Sequence, residues 1–148
     1  MFEFLFNREK DLTKNSKKVR RWKAEHQSLA KYAMKVVDAY DKNEKNKARK
    51  HLDKLQGLAL NHLMDEDVTF YELCKNAKSK DERVLCAMKE FRRSFTDTKR
   101  VLFHFFIFYT NPTNDLDSMF RQKLDAIIGA LVKRIEFEEN NLYSLIDH

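Results

Sequence analysis

Apolar residues recur at spacings of three and four along four long stretches of this chain, and polar runs separate the stretches. Between about Asp11 and Tyr40, Val19, Trp22, His26, Leu29, Ala30, Ala33, Val36 and Val37 trace one face of a helix. After the polar run DKNEKNK, a second stripe follows Ala48, Leu52, Leu55, Leu58, His62 and Phe70. The break KNAKSKDE introduces a third, through Val84, Met88, Phe91, Phe95, Thr98, Val101, Phe105 and Phe108. The break TNPTND holds Pro112 and offers Asn114 or Asp115 as N-cap for a fourth, through Phe120, Leu124, Ile127, Leu131, Glu138, Leu142 and Leu145. Four long helices joined by short polar loops predict an all-α, up-down-up-down antiparallel four-helix bundle.

Composition supports that fold class. The 148 residues include 2 Gly and 1 Pro, so turn punctuation is scarce, and the length suits one domain spanning residues 1–148. The net charge of +6 is concentrated in Arg8, Lys10, Lys14, Lys17, Lys18, Arg20, Arg21 and Lys23. No interleaved aromatics, Gly-rich loop or groove-binding motif accompany these residues, so they read as a solvated face and not a nucleic-acid surface. Cys74 and Cys86 form no CxxC pair and suit a cytoplasmic protein with reduced thiols. The opening MFEFLF is too short for a signal-peptide core or a membrane span and is expected to fold back onto the domain. The run FHFFIFY, residues 103–109, is too aromatic to be buried on all sides. Either the N-terminal FEFLF covers it or it forms a homodimer or protein-partner surface. Trp22 and Tyr32 read as core residues, and His51 and His148 as solvated ones. With no Ser/His/Asp or Cys/His constellation, an enzyme is not expected.

The chain also repeats itself. A shift of 72 residues lays Gly57, His62, Glu66, Asp67, Phe70, Tyr71 and Leu73 onto Gly129, Arg134, Glu138, Glu139, Leu142, Tyr143 and Leu145. The two glycines of the protein open the two copies. Two helix pairs related by a pseudo-twofold axis follow, and the same shift places Thr98 opposite His26.

His62 and Glu66 are four residues apart and share one helical face, directed into the bundle. Glu138 approaches from the fourth helix and His26 from the first. Two imidazoles and two carboxylates make a first shell for a transition metal such as iron, with positions left open. Without a cation, buried carboxylates need protons or a paired base. Arg134 offers that base, one turn before Glu138, where the repeat calls for a histidine.

At these residues the chain resembles the hemerythrin-like family, the HHE cation-binding domain proteins. The resemblance rests on AEHQSL, NHLMDEDVTFYEL and RIEFEENNLYSLID and extends from about residue 15 onward. It implies that His26, His62, Glu66 and Glu138 occupy the positions of one iron's ligands, with the glutamates placed where the family bridges two metals. The second iron's histidines would fall where this chain has Thr98 and Arg134, so a di-iron site is not expected. His104, which the repeat aligns with Tyr32, is a peripheral candidate nearly two turns from a ligand position. In one site model a mononuclear non-haem iron is bound and the Arg134 guanidinium takes the second cation's place. In the other no metal is bound and Arg134 forms a buried network with the glutamates. The retention of both histidines favours the first, which implies a role in O2, NO, redox or iron sensing or storage. A weaker similarity links KVRRW and the run Phe120, Leu124, Ile127, Ala130, Leu131, Arg134 and Glu138 to the Rsd/AlgQ family of sigma-factor regulators. That alternative is metal-free and leaves His26, His62 and Glu66 unexplained.

Overall fold

The computed structural model describes residues 17–76 and 82–146. Four helices make a bundle: α1 (Lys17–Asp41), α2 (Lys45–Asn76), α3 (Glu82–Tyr109) and α4 (Ser118–Phe137). A π-helical turn, Glu138–Leu142, and a short α5, Tyr143–Ile146, extend α4. There is no strand among the described residues.

Every residue of the stripe predicted for α1 is buried. The α1–α2 connection is tighter than the polar run DKNEKNK implied, because Asn43 adopts a left-handed conformation at φ 61°. Its N–H donates to the Tyr40 carbonyl at 2.9 Å and the Glu44 N–H to the Ala39 carbonyl at 2.8 Å. Those two bonds satisfy the carbonyls that end α1 and let α2 begin at Lys45.

The N-cap of α4 is Asp117, a correction to the expected Asn114 or Asp115. Its carboxylate accepts from the Phe120 N–H at 2.9 Å. Asn114 is used otherwise: its side-chain amide donates to the Phe108 carbonyl at 2.8 Å, and its own carbonyl accepts from Arg49 at 2.9 Å. Arg49 also donates to the Tyr109 carbonyl at 2.9 Å, so one α2 side chain ties down the whole α3–α4 connection.

On α3 the inner stripe is shifted from the expected one. Val84, Met88, Phe91 and Phe105 are buried, whereas Val101 and Phe108 are half exposed, and Leu102, Phe106 and Tyr109 point inward instead. At about 3.6 residues per turn a face recurs after five turns, or about 18 residues, which carries Val84, Met88 and Phe91 onto Leu102, Phe106 and Tyr109. Val101 and Phe108, with Ile107 and His104, therefore line a groove of about 910 Å³ against Lys123 and Ala126 of α4. The N-terminal FEFLF, expected as one possible cover, lies outside the described residues, as do Arg8, Lys10, Lys14 and His148. Of the remaining basic residues, Lys18 donates to Thr69 at 2.9 Å and Arg21 pairs with Asp65. His51, expected in solvent, is half-buried near the Tyr32 ring. No helix among the described residues is long and apolar enough to cross a membrane.

The apolar core divides in two. A larger cluster holds Leu52, Leu55, Leu102, Phe106, Phe120 and Leu124; a smaller one holds Trp22, Phe70, Met88, Phe91, Leu142 and Tyr143. Along α1, α2 and the α4 extension the chain passes from one cluster to the other through a layer of buried polar side chains: His26, His62, Glu66, Arg134 and Glu138.

Candidate metal centre

Four of those side chains converge. His26 comes from α1, His62 and Glu66 from successive turns of α2, and Glu138 from the first residue of the π turn. Each offers a ligand atom, and the four atoms lie within 4.8 Å of one another. His26 Nε2 is 3.0 Å from His62 Nε2 and 3.1 Å from Glu138 Oε1. His62 Nε2 is 3.2 Å from Glu66 Oε1 and 4.0 Å from Glu138 Oε1.

The far nitrogens set the tautomers. His26 Nδ1 lies 2.7 Å from Glu139 Oε2, and His62 Nδ1 lies 2.7 Å from Glu25 Oε1. A carboxylate can only accept, so each Nδ1 carries a proton and donates it outward. Both Nε2 atoms then direct lone pairs at each other across 3.0 Å, an arrangement that needs a proton or a cation between them. The acid before His26 stands in AEHQSL and Glu139 is the acid after Glu138, but their bonds to the far nitrogens depend on how α1, α2 and the π turn pack together.

Arg134 lies against the carboxylates. Its Nε donates to Glu138 Oε2 at 3.0 Å, its Nη2 is 3.6 Å from Glu66 Oε1, and its guanidinium stacks over Phe91 at 4.8 Å. Glu66 Oε1 and Arg134 Nη2 are nevertheless buried without a hydrogen bond. An unsatisfied buried carboxylate oxygen beside an imidazole lone pair is an arrangement that a cation would satisfy. Imidazole and carboxylate donors together suit iron, zinc or manganese, so the residues present fit a bound metal.

Protons can take a cation's place in this cluster. Burial opposes a charge on His62, but the Glu66 carboxylate and bonds to Glu138 and Glu25 outweigh it, and its pKa is pushed up to about 12. Burial likewise opposes a charge on His26, which Glu138 and Glu139 raise above the ordinary value. Burial and the Glu138 charge push the Glu66 carboxyl up to about 7. Glu138, despite its burial, is held well below the usual carboxylate range by Arg134 and the two histidines.

Tyr143 is the residue that sequence reasoning missed. Its hydroxyl donates to Glu66 Oε2 at 2.6 Å and lies 3.0 Å from His26 Nε2 and 3.4 Å from Glu138 Oε1. The π turn brings it there: the Tyr143 N–H bonds to the Glu138 carbonyl five residues back, turning the next side chain inward. Tyr71, its counterpart in the repeat, follows a regular turn of α2 and is 65% exposed. The matched tyrosines were the available signal, but nothing in the residue pattern announces the π turn. The indole of Trp22 packs 5.4 Å from the Tyr143 ring and donates to Asp65 at 2.7 Å.

His104 is exposed and lines the outer groove together with Thr98; neither is among the converging side chains. The peripheral role considered for His104 therefore lacks a place in this cluster.

A family model described as the hemerythrin HHE cation binding domain matches residues 17–146. No curated protein and no solved structure gives a significant match.

Proposed function

Because the chain belongs to the hemerythrin HHE cation-binding family, we propose that it binds one non-haem iron through His26, His62, Glu66 and Glu138. On this reading it is a binding protein of the cytoplasm that senses or stores O2, NO, redox state or iron, and not an enzyme. The observation that carries the proposal is the pair of inward-facing Nε2 atoms 3.0 Å apart, each backed by a carboxylate on its other nitrogen.

A redox-active iron in this layer supplies one-electron chemistry toward small ligands. The protein's part is to prepare the donors. Glu25 and Glu139 hold the imidazole tautomers and raise their basicity. Trp22, Phe70, Phe91 and Leu142 form the adjoining apolar cluster and limit water at one end of the polar layer. Arg134 neutralises part of the carboxylate charge and supplies no lone pair, which favours one metal over two. The metal-free regulator alternative leaves the histidine pair and the unsatisfied Glu66 oxygen without a purpose.

Metal analysis of untagged protein after anaerobic loading with iron(II) tests the reading. Close to one iron per chain is expected, with loss in His62→Ala and a value above one in Arg134→His. Protein that retains no metal would overturn the proposal. A ratio that stays at one in Arg134→His would overturn the role given to Arg134.

A further inference from the structure

Tyr143 stands in the donor cluster as closely as the four residues assigned to the metal. We propose that its phenolic oxygen is a fifth donor, a further ligand to ferric iron that rests on the metal-binding reading above.

Donors held about 2.1 Å from one cation at right angles to one another lie about 3 Å apart. The contacts among the four assigned donors include 3.0, 3.1 and 3.2 Å, and Tyr143 Oη adds contacts of 3.0 Å to His26 Nε2 and 3.4 Å to Glu138 Oε1. By spacing alone the phenol belongs to the same shell.

Proton counting leads to the same place. The hydroxyl has one proton and directs it to Glu66 Oε2 at 2.6 Å. Its oxygen therefore turns its lone pairs toward His26 Nε2, 3.0 Å away, whose Nδ1 is taken up by Glu139. A cation shared with His26 and Glu138 would use those lone pairs.

The backbone is also shaped for this contact. The π turn runs from Glu138 to Leu142 and directs Tyr143 inward, whereas the same step on α2 leaves Tyr71 in solvent. Single π turns inside α-helices often mark functional sites.

Coordination breaks the phenolic O–H bond as the Oη–iron bond forms. The phenolic proton is exchanged for the cation and released to water during loading, and no electron is transferred, so iron(III) remains ferric.

The test is visible absorption and resonance Raman spectroscopy of protein loaded with iron(III), with iron per chain measured on the same samples. The wild type is expected to show a phenolate-to-iron charge-transfer band whose excitation enhances tyrosinate ring vibrations. Tyr143→Phe is expected to lose the band while keeping most of its iron, and Tyr71→Phe to keep both. Iron-loaded wild type without the band, or a band that survives in Tyr143→Phe, would overturn the ligand assignment while leaving metal binding intact. Wild type that binds no iron would overturn both. If Tyr143→Phe folds poorly, the tyrosinate vibrations of the wild type decide the matter: their presence beside an unchanged Tyr71→Phe spectrum supports the assignment, and their absence overturns it.

Discussion

The buried turns of α2 and α4 each present a base and, four residues on, a glutamate, but they use the pair differently. On α2 the base is His62, whose outer nitrogen is tied to Glu25 and whose inner nitrogen faces the centre, where it takes a proton or a cation. On α4 the base is Arg134, which donates to Glu138 at 3.0 Å and carries a charge that it cannot give up. A metal and a guanidinium are two answers to the same electrostatic problem, that of a carboxylate taken out of water. Imidazole leaves the answer to a bound cation; guanidinium builds it into the chain. The next turns diverge as well, since α2 continues regularly and exposes Tyr71 while the α4 extension takes up a π turn and buries Tyr143.

Removing the built-in cation is the most damaging way to break this contrast. Arg134→Met keeps the length of the side chain but leaves Glu138 without its guanidinium in a layer where both are buried. Metal-free protein is expected to lose about 3–5 kcal/mol of unfolding free energy, measured in urea. Added divalent metal should recover part of the loss by taking up the freed carboxylates. A cost below about 1 kcal/mol would mean that Glu138 does not depend on Arg134 for its charge.

The second effect separates the halves by pH. His62 binds its proton more tightly in the folded chain, with a pKa raised from 6.5 to about 12, and Glu66 does so with a pKa raised from 4.5 to about 7. For both groups the contribution to stability is complete below the unfolded value and declines as the pH climbs toward the folded one. Glu138 has the opposite sign: its lowered pKa contributes above the ordinary carboxylate range and is lost on acidification. Metal-free protein should therefore be less stable at about pH 9 than at about pH 6, with the decline flattened in His62→Gln. Metal displaces the His62 proton, so affinity for a divalent cation should rise over the same interval. Stability that rises between those two pH values would contradict the proton-retaining cluster.

Much of this arrangement was legible in the residues. The stripe of α1, the convergence of His26, His62, Glu66 and Glu138, and the approach of Arg134 to the carboxylates all follow from spacing and from the repeat. The features that did not follow depend on offsets of one to three residues. The inner face of α3 moves from Val101 and Phe108 to Leu102 and Tyr109 because steps of three and four drift from the true helical pitch over several turns. The N-cap falls on Asp117 because Asn114 is held by its own bonds to Phe108 and Arg49. Tyr143 reaches the donors through a π turn that has no residue signature comparable to a glycine or a proline.

The smallest effect tests how far back the difference between the halves extends. Gly57 and Gly129 open the two copies, and a Cβ added at either would meet no atom within 4 Å outside its own helical backbone. Both lie inside helices and both are exposed, so close packing does not require them. Gly57→Ala and Gly129→Ala should each raise unfolding free energy by about 0.5–1 kcal/mol, because alanine loses less backbone entropy on entering a helix. If α2 and α4 differ only from His62 and Arg134 onward, the two gains should agree within a few tenths of a kcal/mol and iron binding should be unaffected by either. A gain at Gly57 beside a loss at Gly129 would move the point of divergence one to two turns upstream of Arg134. The π turn and the inward Tyr143 would then belong to a longer reshaped segment of α4, and the exchange of histidine for arginine would be one part of that change rather than its origin.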